Sequence, residues 1–190
     1  MKILFFSLIL AALNISAMEL KIENKHWAQA GTYHQFKTYL VNKDLNTKVD
    51  VTDKTKFISP FQLPQRNNGE FLILPTRNGQ IGSFKITAIY IDSEGKEHKS
   101  EELIRVRSEP SHIEVWGPSF RVYTHRPYRL RVWGYFNGRR LDITKLSNWF
   151  AFCGRVDTLG NYVAYIPHCR ESLTISYGHQ RRNLYFTVAQ

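Results

Sequence analysis

The sequence predicts an all-β chain, two β-sandwich domains in tandem behind a cleaved export signal. Three observations predict it. Residues 1–17 have the pattern of a leader. Short apolar–polar segments separated by turn residues fill the rest. The pattern of the first half then recurs in the second. At 190 residues the chain is long enough for one large domain or two of modest size.

The leader comes first. Met1-Lys2 precede an apolar run from Ile3 to Leu13, and Asn14-Ile15-Ser16-Ala17 end in a small residue. That is the form of a signal peptide cleaved after Ala17. A membrane-spanning helix needs about 20 apolar residues, more than this run offers. No cysteine follows to accept a lipid, and no second long apolar run appears. The expectation is an exported chain, periplasmic or at the cell surface, without a transmembrane span. The pair Cys153 and Cys169 then reads as one disulfide, because an oxidising compartment favours it.

The repeat fixes the domains. Val49-Asp50-Val51-Thr52 reappears as Leu141-Asp142-Ile143-Thr144, and a large aromatic, Phe57 or Trp149, stands five residues after each threonine. The same spacing aligns Phe36 with Tyr128, Leu40 with Val132 and Pro75 with Pro167. Removing three residues from the first copy aligns Phe84, Ile86 and Ala88 with Leu173, Ile175 and Tyr177. The polar stretch Arg107–Ser111 marks the boundary, giving one domain over 18–109 and a second over 110–190.

The second copy reads strand by strand. Ile113 and Val115 alternate in a first strand. Tyr128, Leu130 and Val132 face the core of a second, while Arg129, Arg131 and Trp133 face out, since side chains alternate along a strand. Asn137-Gly138 predicts a hairpin turn because both residues tolerate positive φ. Trp149 marks a third strand and 161–166 another. Leu173, Ile175 and Tyr177 face inward on the next. Residues 178–183 turn the chain, and Leu184, Phe186 and Val188 close the sheet. A core tryptophan on a central strand among seven short strands predicts an immunoglobulin-like sandwich.

The motifs Asp50-Val51-Thr52 with Phe57, and Asp142-Ile143-Thr144 with Trp149, resemble those of the bacterial Ig-like domains of surface proteins related to invasin and intimin. The resemblance spans both halves, roughly 20–107 and 111–189. The chain departs from it in the long proline-containing segment 59–68. The resemblance implies adhesion or spacing at a cell envelope. In this topology the third and sixth strands are antiparallel neighbours, which brings Cys153 and Cys169 together. Closing a loop of about 15 residues stabilises by about 3 kcal/mol in the chain-entropy model.

Catalytic and metal signatures are missing from the sequence. It has no Gly-x-Ser-x-Gly elbow, His-Glu-x-x-His motif or phosphate-binding glycine loop. The seven histidines show no ligand spacing, and Asp92-Ser93-Glu94-Gly95 reads as a hairpin turn rather than a calcium loop. The second half has too few carboxylates for glycan hydrolysis: Glu114, Asp142, Asp157 and Glu171. No enzyme, cofactor or metal is expected.

Charge is the functional signal. Residues 110–190 hold ten arginines and one lysine against four acids, a balance of +7, while 18–109 balance at only +2. Guanidinium groups suit bidentate recognition of phosphate and carboxylate and stack on rings. Two candidate groups follow: Arg139, Arg140, Arg181 and Arg182 on two loops expected at one end, and Arg129, Arg131 and Trp133 as a cation–π stripe. Each has a plainer reading. The loop arginines can hold the first domain through Glu101, Glu102 or Glu109, and the stripe can be a solvated face. The sequence thus predicts a binding or scaffolding protein of the envelope. Its partner is an anionic glycan, a lipid head group or an acidic protein. Export sets nucleic acid aside. The alternative is a soluble subunit or assembly factor of an envelope complex.

Overall fold

The computed structural model describes residues 18–190 apart from Lys25, Gln80 and Phe120; the leader expected over 1–17 lies outside the described residues. Nearly all regular structure is β. In the first half, β1 (Met18–Glu23), β4 (Lys37–Asn42) and β5 (Thr47–Asp50) form a sheet in the order β1-β4-β5. Opposite it, β2 (Trp27–Gln29), β6 (Lys56–Ile58), β9 (Gly82–Ile91) and β10 (Glu97–Arg107) run β2-β10-β9-β6. A smaller sheet joins β3 (Tyr33–Gln35), β7 (Gln65–Asn67) and β8 (Glu70–Leu72) as β3-β8-β7.

The second half repeats this plan. Its strands are β11 (His112–Trp116), β12 (Arg121–Tyr123), β13 (Pro127–Arg129), β14 (Arg131–Phe136) and β15 (Arg139–Asp142). They continue as β16 (Asn148–Phe150), β17 (Gly154–Val156), β18 (Asn161–Ala164), β19 (Arg170–Tyr177) and β20 (Gln180–Ala189). The sheets run β11-β14-β15, β12-β20-β19-β16 and β13-β18-β17, the first-half orders advanced by ten strands. Each half is an immunoglobulin-like sandwich, and every sheet draws its strands from one side of Ser108–Ser111.

The repeated motif is a hydrogen-bonded corner. Asp50 Oδ1 accepts from Thr52 N–H, and Asp142 Oδ1 from Thr144 N–H, each at 2.9 Å. Each threonine opens a single 3-10 turn, Thr52–Lys54 or Thr144–Leu146. Each hydroxyl then accepts a buried amide from the neighbouring strand of the same sheet, that of Thr38 on β4 in one half and of Val132 on β14 in the other, both at 2.9 Å.

That corner corrects the alignment. Thr38 corresponds to Val132, so the pairing of Leu40 with Val132 is two residues out. The cause is hairpin length. Asn42 pairs with Thr47 around a four-residue loop, while Phe136 pairs with Arg139 around Asn137-Gly138 alone. A second shift of two follows on the far sheet, where Phe57 faces Ala88 and Trp149 faces Ile175. Both shifts are even, so the inward face stays inward.

Three further expectations change. Tyr128 to Trp133 is not one strand. The chain leaves β13 and enters β14 at Leu130, which is fully buried and bonds to Gly160. Trp149 lies on β16, an edge strand, half-buried against the core. The bulkiest buried side chains of this half are instead Tyr162, Tyr177 and Phe136. The last turn is only Gly178-His179, since Tyr177 already pairs with Gln180, so Arg181 and Arg182 lie on a strand. Asn137-Gly138 does form the expected turn, with φ of 48° and 76°. The Asp92–Gly95 segment is likewise a hairpin turn, closed by Asp92 N–H to Lys96 O at 3.0 Å.

One apolar cluster runs through both halves. Tyr177 Oη donates to Thr76 O at 2.6 Å, and Asn137 Nδ2 donates to Ala30 O at 2.9 Å. Gly31, at φ 80°, lies so close to Phe136 that a Cβ there would sit 2.5 Å from its carbonyl oxygen. The second-half turns thus rest against the first half.

Candidate functional site

The disulfide forms as expected, Cys153 to Cys169, with Cα atoms 6.1 Å apart. Next to it lies a feature the sequence did not reveal. Glu171 is buried on β19, beneath the strand that leads to Cys153. Its carboxylate accepts from Phe152 N–H at 2.8 Å, Cys153 N–H at 2.9 Å and Tyr162 Oη at 2.7 Å. Burial, with this carboxylate beside it, holds the Tyr162 phenol far above its ordinary range.

The other second-half acids are also engaged internally. Glu114 accepts from the Trp116 indole at 2.6 Å and the Tyr135 hydroxyl at 2.7 Å, and these bonds hold its carboxyl below the usual range. Asp142 accepts from the Thr144 N–H at the start of its 3-10 turn. Asp157 accepts from the Leu159 and Asn161 amides, both at 2.8 Å, and from Asn161 Nδ2 at 2.7 Å. Asn161 chiefly lowers its pKa. Among the described residues, no ion pair within 4.0 Å joins an arginine to a carboxylate.

The four loop arginines point four ways. Arg139 lies over the Tyr33 ring of the first half at 4.9 Å. Arg140 sits between two indoles, 4.6 Å from Trp133 and 5.8 Å from Trp116. Arg181 projects from the outer side of β20. Arg182, the next residue, donates Nε–H to Ile113 O at 3.2 Å across the sandwich edge. Neighbours on a strand face opposite ways, and the expected convergence fails for that reason. Glu101 pairs with Lys85 and Lys99, and Glu102 with His26, so neither is an arginine partner.

The stripe is rearranged too. Arg129 is on β13 and bonds Asn161 Oδ1 at 3.0 Å, while Arg131 and Trp133 are on β14. The cation over Trp133 is Arg140, its diagonal neighbour on β15, which pairs directly with Tyr135. His112 stacks on Tyr135 at 4.0 Å beside it. This face carries rings and arginine, and also Glu114 and Asp142.

An apolar cavity of about 520 Å³ opens where the halves meet, walled by Phe61, Leu63, Leu74, Phe84, Leu141 and Leu146. In the first half, His98 is buried and bonds Asp92 across its hairpin at 2.8 Å. Among the described residues no group of three or more His, Cys, Asp or Glu could hold a metal ion. No helix among them is long and apolar enough to cross a membrane.

No family model matches the chain, that of the bacterial Ig-like domains included. No curated protein matches it either. Solved structures do. The fibronectin(III)-like modules of Clostridium thermocellum CbhA are 11% identical over 90% of this chain and 94% of theirs, with a TM-score of 0.31. Domains 5–6 of the S-layer protein SbsC are 14% identical over 92% and 97%, at a TM-score of 0.31. Drosophila N-cadherin EC1-4 is 8% identical over 92% of this chain and 51% of its own, at a TM-score of 0.30.

Proposed function

We propose that the chain is an exported, non-enzymatic protein of the bacterial Ig-like kind that binds an anionic component of the cell envelope. In this reading residues 18–109 and 110–190 are two units, and the second makes the contact. One observation carries the proposal. All four carboxylates of the second half are engaged in internal hydrogen bonds, while its ten arginines form no ion pair among the described residues. The hydrogen-bonded carboxylates keep their charge, yet the second half still balances at +7, and that surplus of arginine charge favours an external anion.

The test is a pull-down of solubilised envelope on residues 18–190, eluted with a salt gradient. Release of glycolipid or polysaccharide at moderate salt is the expected result, because exposed charge pairs are screened. Retention of one defined protein through high salt would replace this reading with that of a structural subunit.

A further inference from the structure

The sheet β12-β20-β19-β16 has an inner face in the core and an outer face made by four strands. Its pairing lays the outer residues in rows. Tyr123 and Ala189 form an edge row, and Arg121, Thr187 and Arg170 form one beside it across β12, β20 and β19. Tyr185 and Ser172 form the next, then Asn183, Thr174 and Phe150, then Arg181, Ser176 and Asn148. The alternating burial of β19 confirms the sidedness: Glu171, Leu173, Ile175 and Tyr177 are buried, and the residues between them are not.

Three features set this face apart. It carries three arginines and no carboxylate: Glu171 points inward, Glu114 and Asp142 belong to the other sheet, and Asp157 lies in the β17–β18 turn. Its middle is short hydroxyl and amide side chains. Large rings stand up from it, with Tyr185 at 68% and Phe150 at 66% exposure. A shallow hollow of about 290 Å³ lies between Arg170 and Tyr185, reaches Ser119 and is lined in part by Glu171, whose carboxylate is turned inward to Phe152, Cys153 and Tyr162. From the row of Arg121 and Arg170 to that of Arg181 is six residues of β20, about 20 Å at the rise of a strand.

We infer that this face is a binding site for an acidic polysaccharide lying along the strands. The inference rests on the anion-binding reading above and gives it a place and a ligand class. A pyranose ring offers an apolar face to Tyr185, its hydroxyls meet Ser172, Thr174 and Asn183, and carboxylates along the polymer meet Arg121 and Arg170 at one end and Arg181 at the other. The Trp116–Arg140–Trp133 face is a weaker site for a polyanion, because Glu114 and Asp142 stand on it. A lipid surface would call for large aliphatic side chains on the face, and the rows hold none, Ala189 being the one small apolar residue among them.

The experiment measures binding of residues 18–190 to immobilised polygalacturonate, with neutral dextran and vesicles of phosphatidylcholine and phosphatidylglycerol as comparators. Arg121→Gln with Arg170→Gln is expected to weaken polygalacturonate binding by about tenfold or more, as loss of two charge-assisted contacts implies. Tyr185→Ala should weaken it several-fold. Lys145→Gln with Arg155→Gln removes the same charge elsewhere on the second half and should leave it within about twofold, since distant exposed charges are screened. Unfolding temperatures show that each variant is folded. Equal losses in both double variants would overturn the site, leaving only diffuse attraction. Binding to anionic vesicles without polygalacturonate binding would overturn the ligand class. If envelope capture survives Arg121→Gln with Arg170→Gln, this site fails while the general function stands.

Discussion

Glu171 shows how much one residue can hold. Its carboxylate satisfies three donors in a place closed to water, two of them amides flanking the disulfide. Glu171→Ala strands all three, at about 1–3 kcal/mol for each unsatisfied group. The expected loss exceeds the roughly 3 kcal/mol at stake in reducing the disulfide. Denaturant unfolding of Glu171→Ala, beside the reduced wild type, measures both. A smaller loss for the variant would mean that water reaches the stranded donors. The sequence marked the two cysteines but not this glutamate. A buried carboxylate has no sequence signature until the strands around it are known.

At the scale of the element, the Asp-x-Thr corner closes the end of the β4–β5 and β14–β15 hairpins. Thr144 accepts the buried Val132 amide, as Thr52 accepts that of Thr38. Thr144→Val keeps the volume and removes the acceptor, so about 1–3 kcal/mol should be lost. Thr144→Ser restores the hydroxyl and should recover most of it. Equal unfolding midpoints for the valine and serine variants would show that the hydrogen bond contributes nothing. The motif itself was legible because its residues are adjacent. Its partners were not, because hairpin lengths of four and two residues shift them out of simple alignment. The arginine groups failed as a unit for a related reason. Arg181 and Arg182 were expected in a turn, but they lie on β20 and face opposite ways.

At the scale of the molecule, the two halves share a core and meet through close backbone contacts. Gly31→Ala introduces a Cβ 2.5 Å from Phe136 O at a φ of 80°, a conformation that alone costs about 1–2 kcal/mol outside glycine. Calorimetry should show the unfolding transition lowered and split in two as the halves separate. One unshifted transition would mean that they are not held through this contact. Tyr177 makes the same junction pH-dependent. Burial pushes its phenol up to about 12, from an ordinary value near 10.0. A phenol kept neutral in the fold contributes stability that is complete below pH 10.0 and is lost as pH rises toward about 12. Tyr177→Phe removes the hydroxyl bonded to Thr76 O, so its stability should fall less steeply over that window. Equal slopes would remove Tyr177 from the cause.

The sequence by itself determined the all-β class, the repeat, the Asn137-Gly138 turn and the cysteine pair, because each depends on spacing along the chain or on the conformational limits of single residues. The tertiary structure decided the rest. It placed Arg140 between Trp116 and Trp133, buried Glu171 beneath the disulfide strand, and set Arg121, Arg170, Arg181 and Tyr185 on one acid-free face. Those neighbours come from strands far apart in the chain. Their meeting depends on which edges pair and in what register, and that is settled by the burial of a whole sheet face at once rather than by any local segment.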